Sequence, residues 1–334
     1  TQTLQDGQLV TVDAYQGFVY PGEIELKKPE EKIEAKVPTG PTVTQVKVNL
    51  VFPNRLEEIA PKADGVGLLR IEHMVIKAGK HPAKLIKDGK SEEYIQILMD
   101  GVKPIAEAFN PKPVWVRTLD ARSDEFRNLE GGNQEPQEAN PMLGWHGIRR
   151  SLDEPELLKA EFEMIKRLHE EGLTNVHIML PFIISVEEFL KSREMAHEIE
   201  LPDTVKIGIM VETPASALTI EKFCEAGIDF VSFGTNDLTQ LTLGIDRGNK
   251  NLAHLFTETH SAIKKQLRYV IKICKKYNVE TSICGEAPSN IPEMVEFLVR
   301  NGITSVSVNI DAIDRVRNQV ADIDRGILRE ILRS

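Results

Sequence analysis

Cysteine is scarce in this chain. Of its 334 residues only Cys224, Cys274 and Cys284 carry a thiol, an odd set without Cys-x-x-Cys spacing. That argues against a disulfide framework or a structural zinc site and fits a reducing cytoplasm. Histidine is sparse too, with 8 residues, no His-x-x-x-His pair and none that stands out as a phosphate carrier. No apolar run approaches the ~20 residues of a membrane span; the longest, such as Val205–Val211, is strand-sized. No charged-then-apolar segment opens the chain as a signal peptide would, so a soluble, cytoplasmic protein with no membrane partner is expected. Positive charge is in deficit: the formal net charge of -10 argues against non-specific nucleic-acid binding. It leaves room for a local cationic pocket.

What is present is a repeating pattern. Thr1 to Gly22 stands apart, with strand-like alternation at Leu9–Asp13 and Gly17–Tyr20 around a turn at Tyr15–Gly17. It is too short to fold alone. Glu23–Pro41 is rich in Lys, Glu and Pro and reads as a solvated linker. From Thr42 on, short β-branched runs alternate with amphipathic stretches. The runs are Val46–Leu50, Val66–Leu69, Val114–Arg117, Val176–Leu180, Ile207–Val211, Phe230–Phe233, Thr281–Ile283 and Ser305–Val308. Eight strands with helical crossovers predict an α/β fold, a TIM (β/α)8 barrel over 42–334. Pro155–Glu171 carries a helical apolar stripe, Ser185-Val-Glu-Glu188 is a capping box, and His260–Tyr277 and Ile291–Asn301 are further helices. The interval from Leu69 to Val114 is long enough for an extra helix. The polar, Gly-rich excursion Ala121–Asn140 is a long loop of the kind that serves function or is disordered. Gly65-Val66-Gly67 reads as close packing at a strand start rather than a phosphate loop.

Barrel enzymes carry their chemistry where strands end. Arg70 and Glu72 follow the second run; Arg117 and Asp120 end the third; Glu212 follows the fifth. Thr235-Asn236-Asp237 and then Asp246-Arg247 follow the sixth, Cys284-Gly285-Glu286 the seventh, and Asn309 and Asp311 the eighth. Glu212 and Asp237 on adjacent strands suit one hard divalent cation, because Mg2+ takes one or two carboxylates and fills its shell with water and substrate oxygens. They suit rim ion pairs with the arginines equally well. Arg70, Arg117 and Arg247 suit phosphate or carboxylate groups, so metal and arginines together imply a small, highly anionic substrate. Cys284 is either a proton donor beside that substrate or an inert buried thiol. Cys224 and Cys274 fall in helices as packing residues.

At these residues the sequence becomes recognisable. Asp64-Gly-Val-Gly-Leu-Leu-Arg70-Ile-Glu-His-Met74, Val116-Arg117-Thr-Leu-Asp120, Asn140-Pro-Met-Leu-Gly144, Ile209-Met-Val-Glu212-Thr-Pro-Ala215, Phe233-Gly-Thr-Asn-Asp237-Leu-Thr-Gln240 and Ser282-Ile-Cys284-Gly-Glu286 occur in order. Together they resemble the C-terminal domain of the phosphoenolpyruvate-utilising enzymes, and among these the archaeal-type synthases most. The stretch Gly7 to Gly22 is similar to the end of that family's swivelling phosphohistidine domain, without its histidine motif. The resemblance implies roles: Glu212 and Asp237 for Mg2+, Arg70 and Arg117 for the phosphoryl group, Asn236 and Arg247 for the substrate carboxylate, Cys284 for proton exchange. It implies pyruvate or phosphoenolpyruvate as ligand, the phosphohistidine and ATP-binding domains of a longer enzyme as partners, and a homodimer. It also implies that this chain alone does not run an ATP-dependent reaction. An enzyme I-type phosphotransferase domain and a Mg2+-dependent pyruvate aldolase or lyase barrel are the competing readings. One position departs from the family pattern: His146 stands where arginine is usual. A histidine is expected to be mostly neutral near pH 7, which would weaken the positive field unless Arg149 or Arg150 compensates.

Overall fold

The computed structural model describes residues 4, 7–13, 18–24 and 42–333. The chain divides into two compact units, Thr1–Thr39 and Gly40–Ser334. In the first, β1 (Val10–Asp13) and β2 (Phe18–Pro21) pair antiparallel. Thr11 Oγ1 donates to the Gly22 carbonyl at 2.7 Å and accepts from the Ile24 N–H at 2.9 Å. The expected Tyr15–Gly17 turn and most of the Glu23–Pro41 linker lie outside the described residues.

The second unit is an eight-stranded parallel sheet curled into a nearly closed barrel with helices around it. Its strands are β3 (Gln45–Leu50), β4 (Val66–Arg70), β5 (Val114–Arg117), β6 (Val176–Leu180), β7 (Ile207–Val211), β8 (Phe230–Phe233), β9 (Glu280–Ile283) and β10 (Ser305–Val308). They run in sequence order, with β10 pairing back onto β3. The β9–β10 seam is stitched largely by hydroxyls: Ser305 Oγ donates to Ser282 Oγ at 2.9 Å, and the Thr281 N–H donates to Thr304 Oγ1 at 3.0 Å. Strands covered on both faces favour continuous apolar, β-branched runs, which is why the expected and observed strand limits agree to within a residue.

Outward-facing strand residues such as Val46, Val48, Leu69 and Ile178 join the helices in one large core. Inside the barrel, Leu68, Trp115, Met179, Met210, Phe230 and Cys284 form a second cluster. Trp115 stacks on Phe230 with centroids 3.9 Å apart, and the buried Lys47 ammonium lies 3.5 Å from the Trp115 ring centre. So large a plug fits because small residues stand beside it. A Cβ on Gly67 would lie 2.5 Å from the Ser307 side chain, so the Gly65–Gly67 stretch is a packing device, as expected.

Between β4 and β5 there are three helices rather than one: Glu72–Ala78, Pro82–Lys87 and Ser91–Phe109. Gly79, left-handed at φ 74°, stops the first. Pro82 at the first turn, with His81 accepting the Ala83 N–H, starts the second. The capping box at Ser185 and Glu188 opens the helix Val186–Glu198. The excursion Ala121–Asn140 is pinned from beneath: Glu135 takes Arg150 at 2.7 Å and His81 at 2.7 Å, all three buried. Among the described residues no helix is long and apolar enough to cross a membrane.

The barrel plug depends on Gly208, where a Cβ would lie 2.3 Å from the Phe230 ring and 2.5 Å from the Phe230 carbonyl oxygen. The ring cannot retreat without moving Trp115, which stacks on it, and the carbonyl belongs to the neighbouring strand β8. Gly208→Ala is expected to cost about 1–3 kcal/mol of stability, read as a lower urea midpoint at unchanged m-value.

Candidate active site at the carboxyl ends of the strands

The expected residues come together at one end of the barrel. Arg70 and Arg117 are the last residues of β4 and β5, Glu212 follows β7, and Cys284 follows β9. Asn236 and Asp237 open the helix Thr235–Leu243 after β8, and Arg247 lies just beyond it. Parallel strands and right-handed crossovers bring these ends to a common rim.

Arg117 is held rigidly. Its guanidinium takes Glu72 at 3.1 Å and Asp120 at 2.8 Å, with only 11% of the side chain exposed. Burial works against its charge, but Glu72, Asp120 and Glu212 outweigh that and raise its pKa further. Arg70 is different: it is exposed and, among the described residues, makes no hydrogen bond or ion pair. One arginine is preset and the other is free to close on an anion.

The carboxylates lie deeper. Glu212 is 1% exposed, and one of its oxygens accepts the Phe182 N–H at 2.6 Å. The other faces Gly234, where a Cβ would sit 2.7 Å away, so only glycine leaves that oxygen room. Asp237 has a buried Oδ1 without a hydrogen-bond partner. Burial raises the pKa of Glu212, and the charges of Asp120 and Asp237 raise it further. Burial likewise raises Asp237, against the pull of Arg247. Two crowded acids, one with an orphaned oxygen, are what a divalent cation would relieve. Among the described residues no group of three or more His, Cys, Asp or Glu side chains is set to hold a metal, so a cation here would draw its remaining ligands from water and substrate. That donor set fits Mg2+.

Asn236 and Arg247 meet: with the Asn236 amide turned so that both of its ends find a partner, its oxygen accepts from Arg247 Nη1 at 3.1 Å and its nitrogen donates to Glu258 Oε1 at 3.3 Å. Thr235 also donates to Glu258. The Arg247 N–H bonds Gln240 Oε1 at 3.0 Å. Glu258 was not among the expected site residues; it comes from an irregular stretch with no periodicity or motif to single it out. Cys284 is 5% exposed, in the interior cluster above Met210 and Phe230. Its Sγ lies 3.6 Å from the Phe233 carbonyl, and burial pushes the thiol up to about 11. At neutral pH it is protonated.

His146 is 2% exposed. Its Nδ1 lies 2.7 Å from Asp120 Oδ1 and its Nε2 lies 3.0 Å from the Met142 carbonyl. Arg150 cannot compensate for an arginine there, because Glu135 and Glu154 engage it fully. Arg149 lies 4.8 Å from the Phe182 ring centre.

With this geometry in view, the comparisons with known proteins are specific. Residues 27–325 match the family described as PEP-utilising enzyme, PEP-binding domain. The chain belongs to that family. A probable phosphoenolpyruvate synthase of Archaeoglobus fulgidus is 52% identical over 100% of this chain and 44% of that protein. The phosphoenolpyruvate synthase of Pyrococcus furiosus is 50% identical over 98% of this chain and 41% of that protein. The chain thus spans less than half the length of these curated relatives. Among solved structures, a malate synthase from Haloferax volcanii covers 83% of this chain and 74% of its own at 10% identity, with a TM-score of 0.50. That likeness concerns the barrel fold alone.

The crowding of acids in this PEP-binding domain has a measurable cost. An acid whose folded pKa lies above its unfolded value stabilises the fold when protonated, and stability falls as pH rises from the unfolded value (about 4.3 for Glu) through the folded one. Glu212 has such a raised value. Glu212→Gln, which still accepts the Phe182 N–H, is therefore expected to stabilise the metal-free chain at pH 7–8 by about 1–3 kcal/mol. The gain should vanish near pH 4 in paired thermal melts.

Proposed function

We propose that this barrel is the pyruvate- and phosphoenolpyruvate-binding part of a phosphoenolpyruvate synthase. Its reaction would transfer a phosphoryl group from a phosphohistidine to the enolate of pyruvate, with Mg2+ as cofactor. The observation that carries this reading is the layering of charge at the mouth. Exposed Arg70 and Arg247 ring the buried Glu212 and the half-buried Asp237, whose Oδ1 is buried without a partner. Such a site rejects a bare anion at its floor and accepts a cation–anion pair.

Glu212 and Asp237 would hold Mg2+, which supplies Lewis acidity that lowers the cost of negative charge on the keto oxygen. Asn236 and Arg247, already in contact, would take the substrate carboxylate. Arg117, locked by Glu72 and Asp120, and the free Arg70 would flank the phosphoryl group and offset its charge in transit. Cys284 handles the proton. In the direction of pyruvate formation the thiol gives its proton to the methylene carbon and is left as a thiolate. The charges of Arg70 and Arg117 favour that thiolate, and solvent reprotonates it. In synthesis the thiol first yields its proton to solvent, the thiolate removes a methyl proton, and the enolate oxygen attacks phosphorus as the bond from phosphorus to the donor histidine nitrogen breaks.

The phosphate donor and the ATP site belong to the longer enzyme on this reading. Residues 1–22 would be the end of its swivelling phosphohistidine domain, 23–41 the linker and 42–334 the barrel. The protein would be cytoplasmic, homodimeric and gluconeogenic.

Calorimetric titration of phosphoenolpyruvate with and without Mg2+ tests the site. Binding is expected only with Mg2+, and Glu212→Ala should lose it; metal-independent binding, or none at all, would sink the reading. Cys284→Ala is expected to bind phosphoenolpyruvate within about twofold of the parent, because a small buried thiol adds little to ground-state affinity. It should lose deuterium exchange into the pyruvate methyl group by proton NMR. Loss of binding instead would show that the thiol holds the pocket rather than moves a proton.

A further inference from the structure

His146 precedes the helix Gly147–Asp153 with extended backbone, φ -147° and ψ 177°. This places the ring between two oxygens. Nδ1 lies 2.7 Å from Asp120 Oδ1 and Nε2 lies 3.0 Å from the Met142 carbonyl. A carbonyl oxygen only accepts, and so does an ionised carboxylate. Asp120 is ionised: burial opposes its charge, but Arg117 at 2.8 Å and His146 hold its pKa below the usual value. A neutral imidazole owns one N–H and would leave one of these buried contacts as two acceptors face to face. Turning the ring over would set carbon atoms against both oxygens. Only the doubly protonated ring satisfies both contacts.

We infer that His146 is a cationic positioning residue, an imidazolium that clamps Asp120 against Arg117. The clamp reaches both halves of the mouth. Asp120 gives one oxygen to His146 and the other to Arg117, so the imidazolium frees Arg117 from complete neutralisation by Glu72 and Asp120. The ring also packs on Phe182, with centroids 4.3 Å apart. Phe182 has a left-handed backbone, φ 53°, a conformation a bulky side chain rarely adopts, and its N–H is the donor to Glu212. One side chain thus braces the arginine proposed for phosphate and the backbone turn that seats the acid proposed for metal.

The charged groups around the ring set the sign of its pH response. Asp120 faces it in contact from the loop after β5. Arg149, on the helix that follows, opposes its charge, and Asp237 across the mouth is within electrostatic reach. Phe182 contributes a ring and Met142 a carbonyl. Burial lowers the pKa of His146, but the hydrogen bond and charge of Asp120 outweigh burial and leave it raised. A raised folded value means that the charge is complete below the ordinary histidine value, about 6.5, and is lost as pH rises through the folded one.

The role in ligand binding rests on the function proposed above; the protonation state does not. Long-range proton–nitrogen NMR of the imidazole, assigned with His146→Gln, is expected to show two protonated ring nitrogens at pH 7. A neutral ring there overturns the inference whatever the protein binds. In Mg2+–phosphoenolpyruvate titrations, His146→Arg should keep parental affinity at pH 7 and hold it flat to pH 9. The parent should weaken over that range, and His146→Gln should bind about tenfold more weakly at pH 7 with little pH dependence, as fits loss of a charge-assisted hydrogen bond. Equal affinity of parent and His146→Gln, or parallel pH profiles of parent and His146→Arg, would reject the positioning role. A parent that binds no phosphoenolpyruvate would reject the function while the imidazole spectrum still decides the charge.

Discussion

The mouth of this barrel is organised by repulsion between acids that are not allowed to separate. Glu212 is buried, and Asp120 and Asp237 lie close enough to raise its proton affinity. Three carboxylates in one low-dielectric space are costly, and the surrounding structure consists largely of partial answers to that cost. The Phe182 N–H takes one oxygen of Glu212. Arg117 and His146 divide Asp120 between them. Arg247 pulls on Asp237. What remains unsatisfied is a buried oxygen of Asp237, so the local charge balance is incomplete in the chain itself.

The rigid surroundings explain how such a balance can be kept. Backbone N–H groups, strand ends and glycines without side chains cannot drift as surface side chains do. Gly234 and Gly285 flank the acids and the thiol at positions where any Cβ would strike Glu212 or Thr235. The loop that carries Asn140 to Gly144 is less regular, and it is fastened at its base by the buried His81, Glu135 and Arg150 group. The parts proposed to meet the anion therefore range from fixed to free, from Arg117 through Asn236 to Arg70.

Most of the barrel was legible because a parallel strand writes its burial into its own residues. Val114–Arg117 and Val176–Leu180 need no partner in sequence to be read. The helices between β4 and β5 were less legible, since two short ones depend on Gly79 and Pro82 rather than on an apolar stripe. At the mouth, residues next to strand ends could be named from the chain alone. Glu258 could not, because it arrives from an irregular segment far along the sequence. Nor could the charge inferred for His146: a neutral ring was the reasonable expectation, and the acceptors that argue for a charged one come from residues 120 and 142, brought together only by folding. Spacing reports which groups face a site; it does not report which lone pairs face each other.

The aromatic plug has a consequence for traffic. Trp115, Phe230 and Lys47 fill the barrel below the acids and are essentially inaccessible to solvent. The tube is blind at that end. Whatever enters at the rim has to leave by the same opening, so arrival and departure would compete for one doorway.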